Sequence, residues 1–206
     1  IAFWRVLLVA ILLSPGARRV SLRDAALTAA GGLFLALHFW TWFASLQATT
    51  VMRSTLLVCL TPVWAGFFEW GVLKSPPSRK FWLGIGVALA GVVAMVSTGG
   101  DSGRASITGD VLAVAGGMLG AAYFTIGRVV RAGVSIATYG PLSCGATALW
   151  LAVLAAASGA DLGGIADAEW GPILALALGP QLLGHVGFNY AVGRLPAATV
   201  AGVAPP

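Results

Sequence analysis

Apolar residues along this chain come in long blocks and do not alternate with polar ones. Blocks of about twenty residues are centred near 25–46, 49–73, 81–99, 109–130, 136–158 and 171–193. A shorter apolar run covers 1–14, and another begins at 197–206. About 20 apolar residues wound as a helix cross a ~30 Å hydrocarbon core. In lipid every backbone N–H and C=O must be satisfied internally, which leaves helices or closed barrels. A barrel strand needs period-two patterning, and these blocks lack it. The pattern therefore predicts an all-α polytopic membrane protein. Between the blocks, Pro, Gly, Ser and Asp gather in connectors such as SPGARRVSLRD, KSPPSRK and SGADLGGIADAEWG. None is long enough to house a soluble domain, so function is expected inside the helix bundle.

Composition sharpens this reading. Hydrophobic residues make up 58% of the 206 and charged residues only 9%, with a mean hydropathy of +0.90. Soluble domains carry roughly a quarter charged residues. The net charge of +5 reads as topology once its distribution is followed. Nine of the twelve Lys and Arg fall on loops that alternation places on one side: Arg18, Arg19, Arg23, Lys74, Arg79, Lys80, Arg128, Arg131 and Arg194. The other side holds Arg53 and Arg104, together with Asp101, Asp110, Asp161, Asp167 and Glu169, while Arg5 lies within a span. The positive-inside rule makes the nine-charge side cytoplasmic, and nucleic acid is not an expected partner. Cys59 and Cys144 fall inside spans and read as small buried hydrophobes. No metal-ligand spacing, Walker motif or other cofactor signature is present. The expected location is the cytoplasmic membrane, the expected partners are lipid and a small-molecule substrate, and the oligomeric state is unreadable. The chain opens on Ile1 within an apolar run and stops as another begins, which reads as a fragment.

Candidate chemistry lies in the polar residues of the spans, because an ionisable group deep in a bilayer costs about 2.5–3.5 kcal/mol and needs a partner or a function. His38 sits near mid-span, either locking two helices together or lining a central cavity, where its titration near neutral pH suits proton coupling. His185 and Asn189 share a helix face, with Gln181 and Tyr190 nearby, and are expected to line the cavity. Trp40, Trp42 and Trp64 are candidate aromatic walls. Pro62, read as mid-helix, predicts a kink that exposes a carbonyl or acts as a hinge. Arg5 and Glu69 are expected to pair with other charges or to serve coupling. Gly116 and Gly120, and Gly84 with Ala88, have the spacing that lets helix backbones approach.

The stretches LALHFWTWFASLQ and LLGHVGFNYAVGRL carry His38 and His185 on helices that the charges orient oppositely, which fits inverted-topology repeats. The runs ASLQATTVMRSTLLVCLTPVWAGFFEW, PPSRKFWLGIGVALAGVVAMV, TGDVLAVAGGMLGAAYFTIGRVVR and FNYAVGRLPAATVAGVAP resemble the EamA-type drug/metabolite transporters. The resemblance implies ten helices in two inverted five-helix halves with both termini cytoplasmic. About seven to eight helices are represented here, with one missing upstream and one to two downstream. It divides the chain into a first repeat at 1–99 and a second at 100–206. Family members often close the fourth helix with Leu-Gly-Glu; this chain has Lys74 and Ser75 there, so that acid's role does not carry over.

These readings converge on a secondary transporter that exports a small organic metabolite or drug by alternating access. The alternatives are an intramembrane enzyme and a non-transporting scaffold. HVGFN has the His and Asn spacing of a rhomboid-type protease, but the PLSCG segment around Ser143 lacks the Gly-x-Ser-Gly setting of its nucleophile, so no catalytic residue is expected.

Overall fold

The computed structural model describes residues 1–98 and 106–202. Asp101 and Arg104, the end of the 81–99 span and the end of the 197–206 run lie outside the described residues. Among the described residues the regular structure is entirely helical: α1 (Ala2–Leu13), a 3₁₀ turn (Ser14–Gly16), α2 (Leu22–Ala48), α3 (Val51–Val58), α4 (Thr61–Gly71), α5 (Arg79–Thr98), α6 (Ile107–Arg131), α7 (Ile136–Ser158), α8 (Asp167–Leu176), a π-helical segment (Ala177–Val186), α9 (Gly187–Val192) and α10 (Ala197–Ala201). Five stretches among them are long and apolar enough to cross a membrane: Leu22–Ala48, Val51–Gly71, Ile107–Arg131, Ile136–Ser158 and Asp167–Val192. Their outer faces expose Trp40, Phe67, Val111, Leu149 and Leu183, residues that water would penalise and lipid solvates.

Local chemistry sets the helix ends. At α2 the Ser21 Oγ accepts from the Asp24 N–H at 3.1 Å and donates to its carboxylate at 2.7 Å, a form of capping box. Thr50 caps α3, its hydroxyl accepting from the Arg53 N–H at 3.2 Å. On α6, Asp110 lies in the first turn and Arg128 and Arg131 in the last, which complements the helix dipole. α7 ends on Gly159 at φ +67°, with the Ala160 N–H returning to the Ala155 carbonyl at 2.9 Å. That left-handed residue is what a glycine at a helix end permits. α4 stops on a costlier device: Lys74 takes φ +54°, and the Ser75 N–H reaches the Glu69 carbonyl at 2.9 Å.

Two predicted spans are not single α-helices. The 49–73 span breaks at Cys59–Leu60, so Pro62 stands in the first turn of α4 rather than mid-helix. The ring and the missing N–H act on the Val58 carbonyl four residues back, so the interruption lies in the turn just before the proline and only the mid-helix placement is corrected. The 171–193 span widens at Ala177–Val186 into π turns that contain Pro180.

The chain divides into two compact units. One comprises Ile1–Ala36 and Ile126–Arg194; the other comprises Leu37–Thr125 and the chain from Leu195 on. The units therefore take segments from both sequence halves. In the first, Gly32 brings α2 against α7, where a Cβ would stand 2.7 Å from that of Ala146, and Trp150 donates to the Ala29 carbonyl at 3.0 Å. Trp4 donates to the Leu162 carbonyl at 2.8 Å and meets Trp170 edge to face at 5.3 Å. In the second, Gly116, Gly117 and Gly120 of α6 receive α2 and the α3–α4 break. A Cβ on Gly117 would lie 2.9 Å from the Val58 carbonyl oxygen, and one on Gly120 3.0 Å from His38 Nδ1. Nothing described lies within 4 Å of a Cβ built on Gly84, so of the two small-residue pairs only Gly116/Gly120 packs a helix among the described residues.

Candidate functional site

The candidate residues separate into one group in each unit. His38, Trp42, Pro62 and Glu69 belong to the unit holding Leu37–Thr125; Arg5, Gln181, His185, Asn189 and Tyr190 belong to the other.

In the first group His38 is 7% exposed, and its Nδ1 lies 2.8 Å from the Gly116 carbonyl on α6. A carbonyl only accepts, so Nδ1 carries the proton and the tautomer is fixed. The ring lies 6.0 Å from Trp42, tilted by 31°. Trp42 Nε1 and Trp64 Nε1 are buried without an acceptor among the described residues. Pro62 follows the α3–α4 break, where the Leu57 and Val58 carbonyls face Gly117. Glu69 is 1% exposed, and its Oε1 accepts the backbone N–H of Ala197 at 2.6 Å. α10 opens on Pro196, which offers no capping side chain, so a carboxyl from α4 supplies the missing acceptor. A helix N-terminus left without one in apolar surroundings would carry the cost of a buried unsatisfied donor.

In the second group the π turns carry the polar stripe. Gln181 is 1% exposed; its Nε2 lies 3.8 Å from Cys144 Sγ, and its Oε1 is buried without a donor among the described residues. His185 is half-buried, and its Nδ1 donates to the Pro180 carbonyl at 3.2 Å within its own segment. Asn189 is 1% exposed, whereas Tyr190 is exposed and stacks beneath the Arg194 guanidinium at 4.0 Å. Arg5 is 7% exposed in the first turn of α1. Gln181 and Asn189 thus face inward, while Tyr190 faces out.

Two residues missed at the sequence level join this group. Tyr139 is fully buried, and a Cβ on Gly127 would meet its hydroxyl at 3.1 Å and Asn189 Oδ1 at 3.6 Å, so both polar groups sit over one glycine. Arg131 donates through Nε to the Asn189 carbonyl at 3.1 Å and through Nη1 to the Val134 carbonyl. Tyr139 lies near the start of its helix, where an aromatic ring ordinarily suits the lipid headgroup region. Arg131 was counted only as a topological charge.

A third polar cluster joins helix ends. Arg53 makes a two-pronged ion pair with Asp110, with Nε 3.2 Å from Oδ1 and Nη2 on Oδ2, and the Thr49 hydroxyl donates to Oδ1 at 3.1 Å. Ser45 and Ser54 bond 2.5 Å apart beside it. One of the few bases predicted outside the cytoplasm therefore has a structural partner.

Residues 1–97 match the model of the EamA-like transporter family. A probable 4-amino-4-deoxy-L-arabinose-phosphoundecaprenol flippase subunit ArnE of Klebsiella pneumoniae (strain 342) is 33% identical over 52 residues, which are 25% of this chain and 46% of that protein. The chain thus spans about half the length of this curated relative. Long apolar helices and the family match agree: the chain is a polytopic helical membrane protein that over residues 1–97 is similar to the EamA-like transporter family.

Proposed function

We propose that the chain forms part of a secondary transporter that moves a small organic metabolite or drug outward across the cytoplasmic membrane by alternating access. Its two halves, 1–99 and 100–206, act as inverted repeats that rock about a central polar site. The observation that carries this reading is the π segment. It and the α9 helix that follows hold Gln181 and Asn189, each 1% exposed, inside an apolar span, in a chain whose first 97 residues match a transporter family. Buried amides are costly unless hydrogen-bonded and so are rarely placed in an apolar span without a role, and π turns recur at functional sites. Substrate contact is assigned to Gln181, His185 and Asn189, with Arg5 of the same unit as a group for charge balance. The flippase-subunit relative supports a narrower version, in which the cargo is an amphiphile and a second chain completes the assembly.

The test is flux into proteoliposomes holding the full-length protein. His185→Ala combined with Asn189→Ala should cut transport by about tenfold or more, equivalent to ~1.4 kcal/mol, while the protein stays folded and monodisperse. Flux that survives both changes contradicts the assignment of the site.

A further inference from the structure

We propose that the cleft between α3 and α6 binds a phospholipid of the leaflet opposite the PPSRK turn, the exoplasmic leaflet on the charge reading. One acyl chain lies in the cleft, and the headgroup sits on the Arg53–Asp110 pair. The cleft holds about 270 Å³ and is lined by Arg53, Leu57, Ile107, Asp110, Val111 and Val114. That falls just under the ~300 Å³ at which small-molecule pockets begin, so it admits a chain segment and not a globular ligand. Its polarity is graded along its length. Arg53 and Asp110 stand in the first turns of their helices, at the membrane interface. Leu57 and Val114 lie four residues further along their helices, one turn deeper at ~5.4 Å per turn. A phospholipid has the same layout, with a polar head at the interface and an apolar tail running inward.

Charge complementarity selects the headgroup. The ion pair is net neutral and partly accessible, with side-chain exposures of 24% for Arg53 and 19% for Asp110. Asp110 engages two of the five guanidinium N–H directions, which leaves donors for a phosphate. The adjacent carboxylate repels a second anion and accepts from an ammonium. A zwitterion that carries both phosphate and a primary ammonium matches this donor–acceptor pair. Phosphatidylethanolamine fits, phosphatidylglycerol lacks the cation, and phosphatidylcholine lacks the N–H donors.

The experiment is native mass spectrometry of the full-length protein released from nanodiscs made of equal parts phosphatidylethanolamine, phosphatidylglycerol and phosphatidylcholine. Phosphatidylethanolamine should be retained about tenfold over phosphatidylglycerol, a ratio worth ~1.4 kcal/mol. Val111 is 61% exposed, so Val111→Trp can fill the cleft without disturbing the core, and it should abolish that retention with helicity unchanged. Arg53→Gln should erase the headgroup preference. Equal retention of the three lipids by the unaltered protein overturns the proposal, as does retention of none, or full retention by Val111→Trp.

Discussion

An imidazole inside a membrane helix brings two ring nitrogens that must find partners without water. His38 gives its Nδ1 proton to the Gly116 carbonyl of another helix, and His185 gives its own to the Pro180 carbonyl of the same segment. The first bond ties two helices, whereas the second uses a carbonyl in a stretch where proline has already disturbed the ladder. His38→Phe keeps the ring volume and deletes the interhelical bond. It should lower stability by about 0.5–1.5 kcal/mol, read as a lower thermal midpoint in detergent. Glu69 carries a larger consequence, because its carboxyl oxygen caps α10 from outside. Glu69→Leu should cost about 1–3 kcal/mol through the unsatisfied Ala197 N–H, and Glu69→Gln, which keeps a carbonyl acceptor, should recover most of it. Equal losses in the two variants would contradict the cap.

At the scale of elements, glycine spacing matters only where a neighbour occupies the gap. Gly117→Ala would press a methyl against the Val58 backbone, and Gly32→Ala against Ala146 and Thr147. Each should destabilise by about 1–3 kcal/mol, whereas Gly84→Ala should be neutral or slightly favourable for its helix; unfolding midpoints of the three variants check this. Pro62→Ala should let the turn at Cys59–Leu60 rewind, since it removes the ring that excludes the Val58 carbonyl. Unchanged accessibility of Cys59 to a thiol reagent would contradict a proline-driven break. The breaks at Cys59–Leu60 and at Ala177–Val186 were not legible in the sequence for a physical reason. Apolar periodicity reports which residues prefer lipid, and it continues unbroken whether the turns wind at 3.6 residues or wider. Pro62 and Pro180 hinted at irregularity, yet the first sits just past its break and the second inside its π turns.

For the whole molecule, hydropathy placed five of the six predicted full spans within a few residues, because it follows from transfer free energies that act on each segment separately. Tertiary convergence followed less easily. His38, Gln181 and Asn189 were legible as costly polar residues in lipid. Tyr139 became visible only when folding placed its hydroxyl over Gly127, and Asp110 only when Arg53 met it across helices far apart in sequence. Orientation is the claim on which the carrier reading rests, since inverted halves need helices that alternate direction between leaflets. The most direct measurement is substituted-cysteine labelling in intact cells, in a Cys59→Ala, Cys144→Ala background, with a membrane-impermeant maleimide. Ser78→Cys in the PPSRK turn should react only after permeabilisation, and Ala166→Cys in the loop before α8 should react at once. Labelling of Ser78→Cys from outside the intact cell would contradict the account.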